Sequence, residues 1–170
     1  MVTETKDEVK AKAREILDNF LEAKNHRKTP ERHAILDTIY DLRHHFTLEE
    51  LGEEMERRNF RVSRATLYNT MRLFLALRLV TRHRFTKGTY YEACYDKDNH
   101  CHQICTICGK VTEIAMPLVM EAIENTPTRR FRKDGFTLYI YGACSACQAK
   151  QMRSISAKKK KRNQKTTIKK

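Results

Sequence analysis

Four cysteines arranged as two Cys-X-X-Cys pairs constrain this chain more than any other feature. The first pair is Cys105 and Cys108, and the second is Cys144 and Cys147. Two residues between paired thiolates allow a tight turn to direct both sulfurs at one ion. A second pair completes a closed, tetrahedral, all-sulfur zinc shell. The spacing therefore predicts a structural zinc ion. Two disulfides or a redox-active pair are the alternatives, although neither pair has the strand–helix context of a thioredoxin-like couple.

Composition narrows the class of protein. The 170 residues fit one or two small domains, and a hydrophobic content of 40% supports a modest core. No apolar run approaches the roughly 20 residues that a membrane span needs, and the charged N-terminus lacks an apolar signal region. We therefore expect a cytoplasmic protein with no membrane partner. Six cysteines in that compartment indicate metal or thiol chemistry more than a disulfide scaffold.

The positive charge is unevenly placed. The formal net charge is +13, and nine lysines and arginines but no acidic residue lie in residues 153–170. So little apolar content predicts a disordered basic tail. Such a tail is attracted to nucleic-acid phosphate without regard to sequence. The alternative is a solubilising tail with no partner.

Apolar spacing and cap residues predict a winged helix-turn-helix in the first half of the chain. Helices are expected over residues 6–25, from 30, from 48 and over 64–77, and a hairpin over 79–85 and 89–93. Thr29, Thr47 and Ser63 are the expected N-caps. The third helix of such a module enters the DNA major groove with its N-terminal half. In this chain that helix is the one expected over residues 64–77, because the helix over 6–25 precedes the module. The candidate contacts on that helix are Ser63, Arg64, Thr66, Tyr68 and Asn69, and those on the wing are Arg82, His83, Arg84 and Lys87. A helical bundle with a solvated charged face is the alternative.

An ordered set of motifs resembles the ferric uptake regulator family over roughly residues 27 to 148. The motifs are Thr29-Pro-Glu-Arg32, His44-His-Phe-Thr-Leu-Glu-Glu-Leu51, Ala65-Thr-Leu-Tyr68, Leu79-Val-Thr-Arg-His83, His100-Cys-His102, Cys105-Thr-Ile-Cys-Gly-Lys-Val111 and Leu138-Tyr-Ile-Tyr-Gly142. The resemblance implies a homodimeric, metal-responsive transcription repressor that binds palindromic double-stranded operators and is not an enzyme. It also implies an α+β fold, with the winged helix followed by a small α/β dimerisation domain that holds the four-cysteine zinc site.

The expected organisation has five parts. A helical extension covers 1–26, the winged-helix DNA-binding domain 27–94, a hinge 95–98, the α/β dimerisation domain 99–152 and the basic tail 153–170. Within the dimerisation domain, the pattern predicts a strand over 110–114, a helix over 117–125 and a strand over 136–141.

A regulatory metal site with ligands from both halves of the chain is the main functional implication of the resemblance. Matching positions give His45, Glu92, His100, His102 and Glu113 as its ligands. Nitrogen and oxygen donors suit Fe(II), Mn(II) or Zn(II) without selecting among them. Iron homeostasis is the expected process, and zinc-uptake and peroxide-responsive regulators of the family are the alternatives. Peroxide sensors favour aspartate where Glu92 and Glu113 stand.

The chain also departs from the family pattern. A further inter-domain site of many relatives matches Asn99, Cys101, Met120 and Phe136 here, so we expect that site to be absent. The thiol of Cys101 is either an extra ligand or an exposed, redox-sensitive group. One extra residue separates Glu92 from His100.

The DNA-contacting set is completed by resemblance. The segment that carries Arg27 and Lys28 is expected to reach the minor groove, and Asn69 stands where relatives have arginine, which implies a different operator preference. Two other classes remain open. One is a thiol redox switch that uses Cys94 or Cys101, and the other is a nucleoid or RNA-binding protein driven by the basic tail.

Overall fold

The computed structural model describes residues 5–42, 44–94, 101–133 and 135–167, without the side chains of residue 6 and of residues 157–167. The chain divides into two compact units, Met1–Lys97 and Asp98–Lys170. The expected hinge at 95–98, and with it Asn99 and His100, lies outside the described residues. Within the described part of the chain, no helix has both the length and the apolar content needed to cross a bilayer.

The first unit contains four helices and a hairpin, in the order predicted. Its elements are α1 (Lys6–Ala23), α2 (Pro30–Asp41), α3 (Leu48–Arg57), α4 (Arg64–Ala76), β1 (Val80–Phe85) and β2 (Gly88–Ala93). All three expected residues stand at N-cap positions, but only two of them cap with their side chains. Thr47 forms a capping box with Glu50, and the Ser63 hydroxyl accepts from the Thr66 N–H at 3.0 Å, whereas Thr29 makes no side-chain cap bond. The helix α2 begins with Thr29 extended and Pro30 in its first turn, where a missing N–H costs nothing.

Helix α1 is an integral part of the core of this unit. Its stripe residues Ala13, Leu17 and Leu21 are fully buried and belong to one cluster with the inner faces of α2, α3 and α4. Ion pairs join its outer side to α2, because Arg14 pairs with Asp37 and Lys10 Nζ lies 3.1 Å from Asp41 Oδ1. The expected extension at 1–26 therefore shares its core with the winged helix.

The β1–β2 hairpin, hereafter the wing, is fixed to the helices. Its strands pair antiparallel with a tight turn at Gly88, where φ is +143°. The strand β2 also bonds to the loop before α3, since the Phe46 and Tyr91 backbones exchange N–H···O bonds of 3.0 and 2.7 Å. The Tyr40 hydroxyl donates to the Leu79 carbonyl at 3.0 Å. These contacts place the His45 loop beside β2.

The second unit is a small α/β domain. It comprises β3 (Cys101–Cys105), β4 (Val111–Ile114), α5 (Pro117–Asn125), β5 (Leu138–Gly142) and α6 (Ser145–Thr167). The central strand β3 pairs antiparallel with β4 and parallel with β5. Among its described residues the buried side chains are few: Cys101, His102, Ile104, Cys105, Met120 and Cys147. So small an apolar core leaves the unit in need of a further stabilising element.

The basic tail at 153–170 is expected to be disordered, but in the structure helix α6 continues to Thr167. Residues 145–167 contain no glycine or proline and are rich in Ala, Lys, Arg and Gln, which are strong helix formers. Over residues 145–156, where its side chains are described, only Cys147 is buried, and the Met152 and Ile155 side chains are exposed. Intrinsic propensity, rather than packing, therefore extends α6.

Candidate metal centres and DNA-reading surface

The two cysteine pairs meet at one point of the second unit, hereafter the four-cysteine cluster. The four sulfur atoms of Cys105, Cys108, Cys144 and Cys147 all lie within 4.8 Å of one another. The Sγ atoms of Cys108 and Cys144 are 3.8 Å apart. All six cysteines of the chain are free thiols, so the two-disulfide alternative is wrong.

Local backbone geometry produces this convergence. Cys105 ends β3, and a tight turn returns the chain so that Gly109, at φ +70°, donates its N–H to the Cys105 carbonyl at 2.9 Å. The parallel strand β5 leads directly into α6, so the expectation that neither pair has a strand–helix context is wrong for the second pair. Cys144 immediately precedes α6, and Cys147 lies in its first turn. The positive end of the α6 dipole therefore favours thiolates at this point.

The electrostatics of the cluster call for a cation. Hydrogen bonds from the backbone N–H of Cys144 and then of Cys108 lower the pKa of the Cys105 thiol to about 6. The hydrogen bond with Cys144, followed by burial, raises the pKa of Cys147 to about 12. One sulfur therefore ionises readily while a neighbouring thiol resists a second negative charge.

The donor set fits zinc. Sulfurs on a tetrahedral ion with Zn–S bonds of about 2.3 Å lie about 3.8 Å apart, which matches the Cys108–Cys144 distance. Four thiolates would close the shell, leaving no coordination position for substrate. A zinc ion held here would join the β3–β4 turn to the start of α6.

A second donor cluster lies on the wing side of the first unit. It consists of His45, His83 and Glu92, hereafter the wing cluster, whose donor atoms lie within 4.8 Å of one another. The Nε2 atoms of His45 and His83 are 3.4 and 2.9 Å from the same Glu92 oxygen, Oε2. Two imidazoles and a carboxylate suit a borderline divalent cation.

Sequence reasoning missed one member of the wing cluster. The pattern offers His83 to DNA with the arginines of the wing, but its side chain is 1% exposed, so that assignment is wrong. Strand alternation is the reason, because His83 shares the inward face of β1 with Phe85 while Arg82 and Arg84 are exposed. The sequence does contain a signal for this burial, because His83 stands two residues before the apolar Phe85 and so lies on the same face of the strand.

The remaining described ligand candidates lie in the second unit. His102 on β3 and Glu113 on β4 are directly paired residues, so their side chains share one face of the sheet. His102 is buried and its ring lies 5.6 Å from that of Tyr139 on β5. The fifth candidate, His100, is outside the described residues.

The two remaining cysteines sit in ordinary surroundings. Cys101 is fully buried at the start of the central strand, between Ile114 and Leu138, so the alternative of an exposed redox-sensitive thiol is wrong. Cys94 is half-buried, its sulfur lies 2.8 Å from Thr81 Oγ1, and burial raises the pKa of its thiol. A raised pKa disfavours the reactive thiolate.

Among the described residues at the expected further site of many relatives, only Cys101 carries a strong metal donor. Met120 is buried on α5, and Phe136, which precedes β5, is half-buried. Neither a thioether nor a phenyl ring replaces the carboxylate or imidazole that such a site needs.

Helix α4 presents a polar face at its start. Arg64, Tyr68 and Asn69 are exposed, and Tyr68 retains 57% of its accessible surface. Ser63 and Thr66 are partly engaged already, since their hydroxyls lie 2.8 Å apart and Ser63 caps the helix. The apolar face of α4, with Leu67, Met71 and Phe74, is buried in the core.

The expected minor-groove segment is partly neutralised. The ammonium of Lys28 lies 2.5 Å from Glu22 Oε1 and 3.6 Å from Asp18 Oδ1 on α1. The Arg27 carbonyl accepts a hydrogen bond from Arg32 at 2.7 Å. Both Arg27 and Lys28 are exposed, but Lys28 reaches a phosphate only by leaving its carboxylate partners.

Comparison with known proteins gives a consistent assignment. The model of the ferric uptake regulator family matches residues 23–141. The ferric uptake regulation protein of Campylobacter upsaliensis is 32% identical over 128 residues, which cover 72% of this chain and 80% of that protein. The peroxide operon regulator of Bacillus subtilis is 31% identical over 131 residues, covering 74% and 86%.

The fold agrees with a solved structure. The Helicobacter pylori ferric uptake regulator, described as having three functional metal binding sites, superposes with a TM-score of 0.63 at 20% identity. The match covers 85% of this chain and 95% of that one. At this identity the likeness establishes the fold alone.

Proposed function

Because this chain belongs to the ferric uptake regulator family, we propose that it is a cytoplasmic, metal-responsive transcription repressor that controls iron homeostasis. In this role it binds double-stranded operator DNA in a sequence-specific manner and catalyses no reaction. Family membership rests on the match over residues 23–141 and on relatives above 30% identity.

One observation carries the proposal: the wing cluster is built on the same unit as α4, the helix proposed to read DNA. An ion shifts a conformational equilibrium only by binding one arrangement better than another. An ion that binds ligands on the wing can therefore favour one arrangement of the wing over another. By resemblance, the ligands of the regulatory ion are His45, Glu92, His100, His102 and Glu113. Fe(II) is the proposed ion, and Mn(II) or Zn(II) fits the same donors.

The four-cysteine cluster is proposed to hold a structural Zn(II) in each chain. Structural zinc sites in small peptides are worth on the order of 10 kcal/mol, which would offset the small core of the second unit. This role is supported by the mutual approach of the four sulfurs. The four sulfurs belong to the second unit, whereas the polar face of α4 belongs to the first. This separation suits a structural role rather than a direct role at the DNA-contacting surface.

A homodimer is supported by apolar surface on the second unit. Leu118 on α5 is 80% exposed, and Ile140 and Tyr141 on β5 are also exposed. Within the described residues β5 pairs only with β3, so its other edge offers unpaired backbone groups. A second copy that covers this surface would place two reading helices on a palindromic operator.

The proposed DNA contacts come from α4 and the segment before α2. Tyr68 and Asn69 would read base edges, with Arg64, Thr66 and Ser63 on phosphate or neighbouring bases. Arg27 would enter the minor groove, joined by Lys28 once its carboxylate partners release it.

Selection from a random double-stranded DNA library, with and without Mn(II) as an air-stable ion, tests the proposal. We expect enrichment of a two-fold symmetric site in the presence of the ion. Recovery of unrelated sequences under both conditions would contradict a sequence-specific repressor and favour a charge-driven nucleic-acid binder.

A peroxide-responsive regulator is the second candidate, favoured by the Bacillus subtilis relative. Loss of operator binding after brief exposure of the Fe(II)-loaded protein to peroxide, with retention in the Mn(II)-loaded protein, would select it.

A further inference from the structure

His83 is a buried histidine to which the proposed ligand set gives no role. It lies on β1, its side chain is 1% exposed, and its Nε2 is 2.9 Å from Oε2 of Glu92 on β2. A buried imidazole needs a hydrogen-bond partner, because leaving a polar ring nitrogen unsatisfied is costly. For His83 that partner is a carboxylate proposed to bind metal.

Strand register explains why the two side chains meet. His83 is paired with Tyr90, and Glu92 lies two residues further along β2. The two residues are therefore diagonal neighbours on the same face of the hairpin, within reach of long side chains. The contact is a property of the wing itself and needs no other part of the chain.

Aromatic neighbours hold the His83 ring in place. The Phe85 ring stacks on it with centroids 5.4 Å apart and an interplanar angle of 11°. The His45 ring meets it edge-on, at 5.1 Å and 82°. A ring restrained by these two contacts fixes the direction of its Nε2, and thereby the position of the Glu92 oxygen.

The two distances to Glu92 Oε2 fit different roles for the two histidines. The 2.9 Å separation from His83 has hydrogen-bond geometry. The 3.4 Å separation from His45 matches two donors on one ion, which lie about 3.0 to 3.4 Å apart when each bond is about 2.1 Å. His45 and Glu92 are thus placed to share a cation, and His83 to hold the carboxylate.

From this geometry we infer that His83 is a positioning residue for the regulatory ion: its Nε2–H donates to Glu92 and holds the carboxylate ready for a divalent cation, without ligating the cation itself. The inference rests on the proposed function, since it presumes that His45 and Glu92 bind a regulatory ion. Hydrogen-bonded carboxylates of this kind tune metal affinity by orienting the ligand.

Titration of Co(II) into the zinc-containing protein tests the role through the visible absorption of the bound ion. We expect His83→Leu, which removes the donor, to weaken Co(II) binding by about 10- to 100-fold. The matched variant His83→Gln keeps an N–H at a similar reach and should restore most of the affinity. If His83→Leu melts at a lower temperature yet binds Co(II) like the wild type, the side chain is merely structural and the inference is wrong.

A measurement on the wild-type chain covers the case in which His83→Leu does not fold. With ¹¹³Cd(II) as the probe and ¹⁵N-labelled histidine, a ligating nitrogen shows one-bond coupling to cadmium. We expect coupling at His45 and none at His83. Coupling at His83 Nε2 would overturn the positioning role by making His83 a ligand.

The two proposals fail in different ways. Equal Co(II) affinity of wild type and His83→Leu, with operator binding that still depends on metal, overturns the role of His83 alone. A wild-type protein that takes up no exchangeable Co(II) overturns the proposed metal response and the role of His83 with it.

Discussion

Each cysteine of the four-cysteine cluster supplies a sulfur that no neighbouring side chain can replace. The other cysteine of the second unit, Cys101, is buried in the central strand, and Cys94 belongs to the first unit. The loss of one thiolate therefore opens a shell that has no spare ligand.

Replacing Cys144 by serine should release the zinc ion and lower the stability of the second unit, because a hydroxyl is a far weaker zinc ligand than a thiolate. Elemental analysis and thermal unfolding measure the two effects. Cys94→Ser is the matched control, since a serine hydroxyl can keep the contact with Thr81 Oγ1. Full zinc content and an unchanged melting temperature in Cys144→Ser would contradict the assignment.

Tyr68 tests the proposed DNA contact of helix α4. Replacing it by alanine should cost sequence-specific binding about 1–3 kcal/mol while leaving affinity for random DNA nearly unchanged. Fluorescence anisotropy with a selected site and a scrambled site measures both. The variant Tyr68→Phe keeps the ring and removes the hydroxyl, so it separates a base contact from a phosphate contact. Equal losses on both DNAs after Tyr68→Ala would speak against base reading.

Single residues also mark the limit of sequence reasoning. The cysteine pairs can be recognised from the sequence because a spacing of two residues is a local property that fixes where the sulfurs point. The partners of His83 and Lys28 are set by strand register and by the approach of α1, which no local pattern specifies. Glu92 and Glu22 are ordinary glutamates in the sequence until those elements are in place.

At the scale of elements, α1 is the clearest case in which packing follows from pattern. Its apolar residues recur at helical spacing, so a buried face was predictable, and Ala13, Leu17 and Leu21 are indeed fully buried. The ion pairs with Asp37 and Asp41 were not predictable, because they depend on the crossing of α1 over α2.

Leu17→Ala should destabilise the first unit by about 2–5 kcal/mol, since it leaves a cavity in the shared core. Chemical denaturation followed by circular dichroism measures the loss. Glu15→Ala, at an exposed position of the same helix, is the control and should change stability little. If the two variants unfold alike, α1 is a dispensable extension.

Helix α6 shows the opposite situation, because its length comes from intrinsic propensity with no apolar stripe to reveal it. Its basic residues are still expected to act through charge. Replacing Lys158, Lys159, Lys160 and Lys161 by glutamine should weaken binding to all DNA alike and flatten its salt dependence, because fewer counterions are released. Anisotropy titrations over a range of salt concentrations measure the slope. An unchanged slope together with lost sequence preference would contradict a role confined to charge.

At the scale of the whole molecule, the two units carry different features that a metal-responsive regulator needs. The first carries the polar face of α4 and the wing cluster, and the second carries the four-cysteine cluster and the exposed apolar surface of α5 and β5. Element order and the convergence of the two cysteine pairs were predictable from one sequence. The place of His83 in the wing cluster was not, because its contact with Glu92 depends on pairing between β1 and β2.

Strong chelation should remove the structural zinc and, with it, the dimer. The expected result is a shift to monomer or unfolded chain in sedimentation velocity, reversed by adding Zn(II), because the small core of the second unit does not suffice alone. Mild chelation, which leaves the four-cysteine cluster loaded, should preserve the dimer. A dimer that persists in zinc-free protein would show that the interface does not need this cluster.

The most direct test of the central claim is operator affinity measured alongside metal content in a single preparation, before and after mild chelation. We expect one zinc per chain that resists chelation, and an exchangeable divalent ion whose return tightens operator binding by roughly tenfold or more. Equal operator affinity with and without that ion, at constant zinc content, would contradict it.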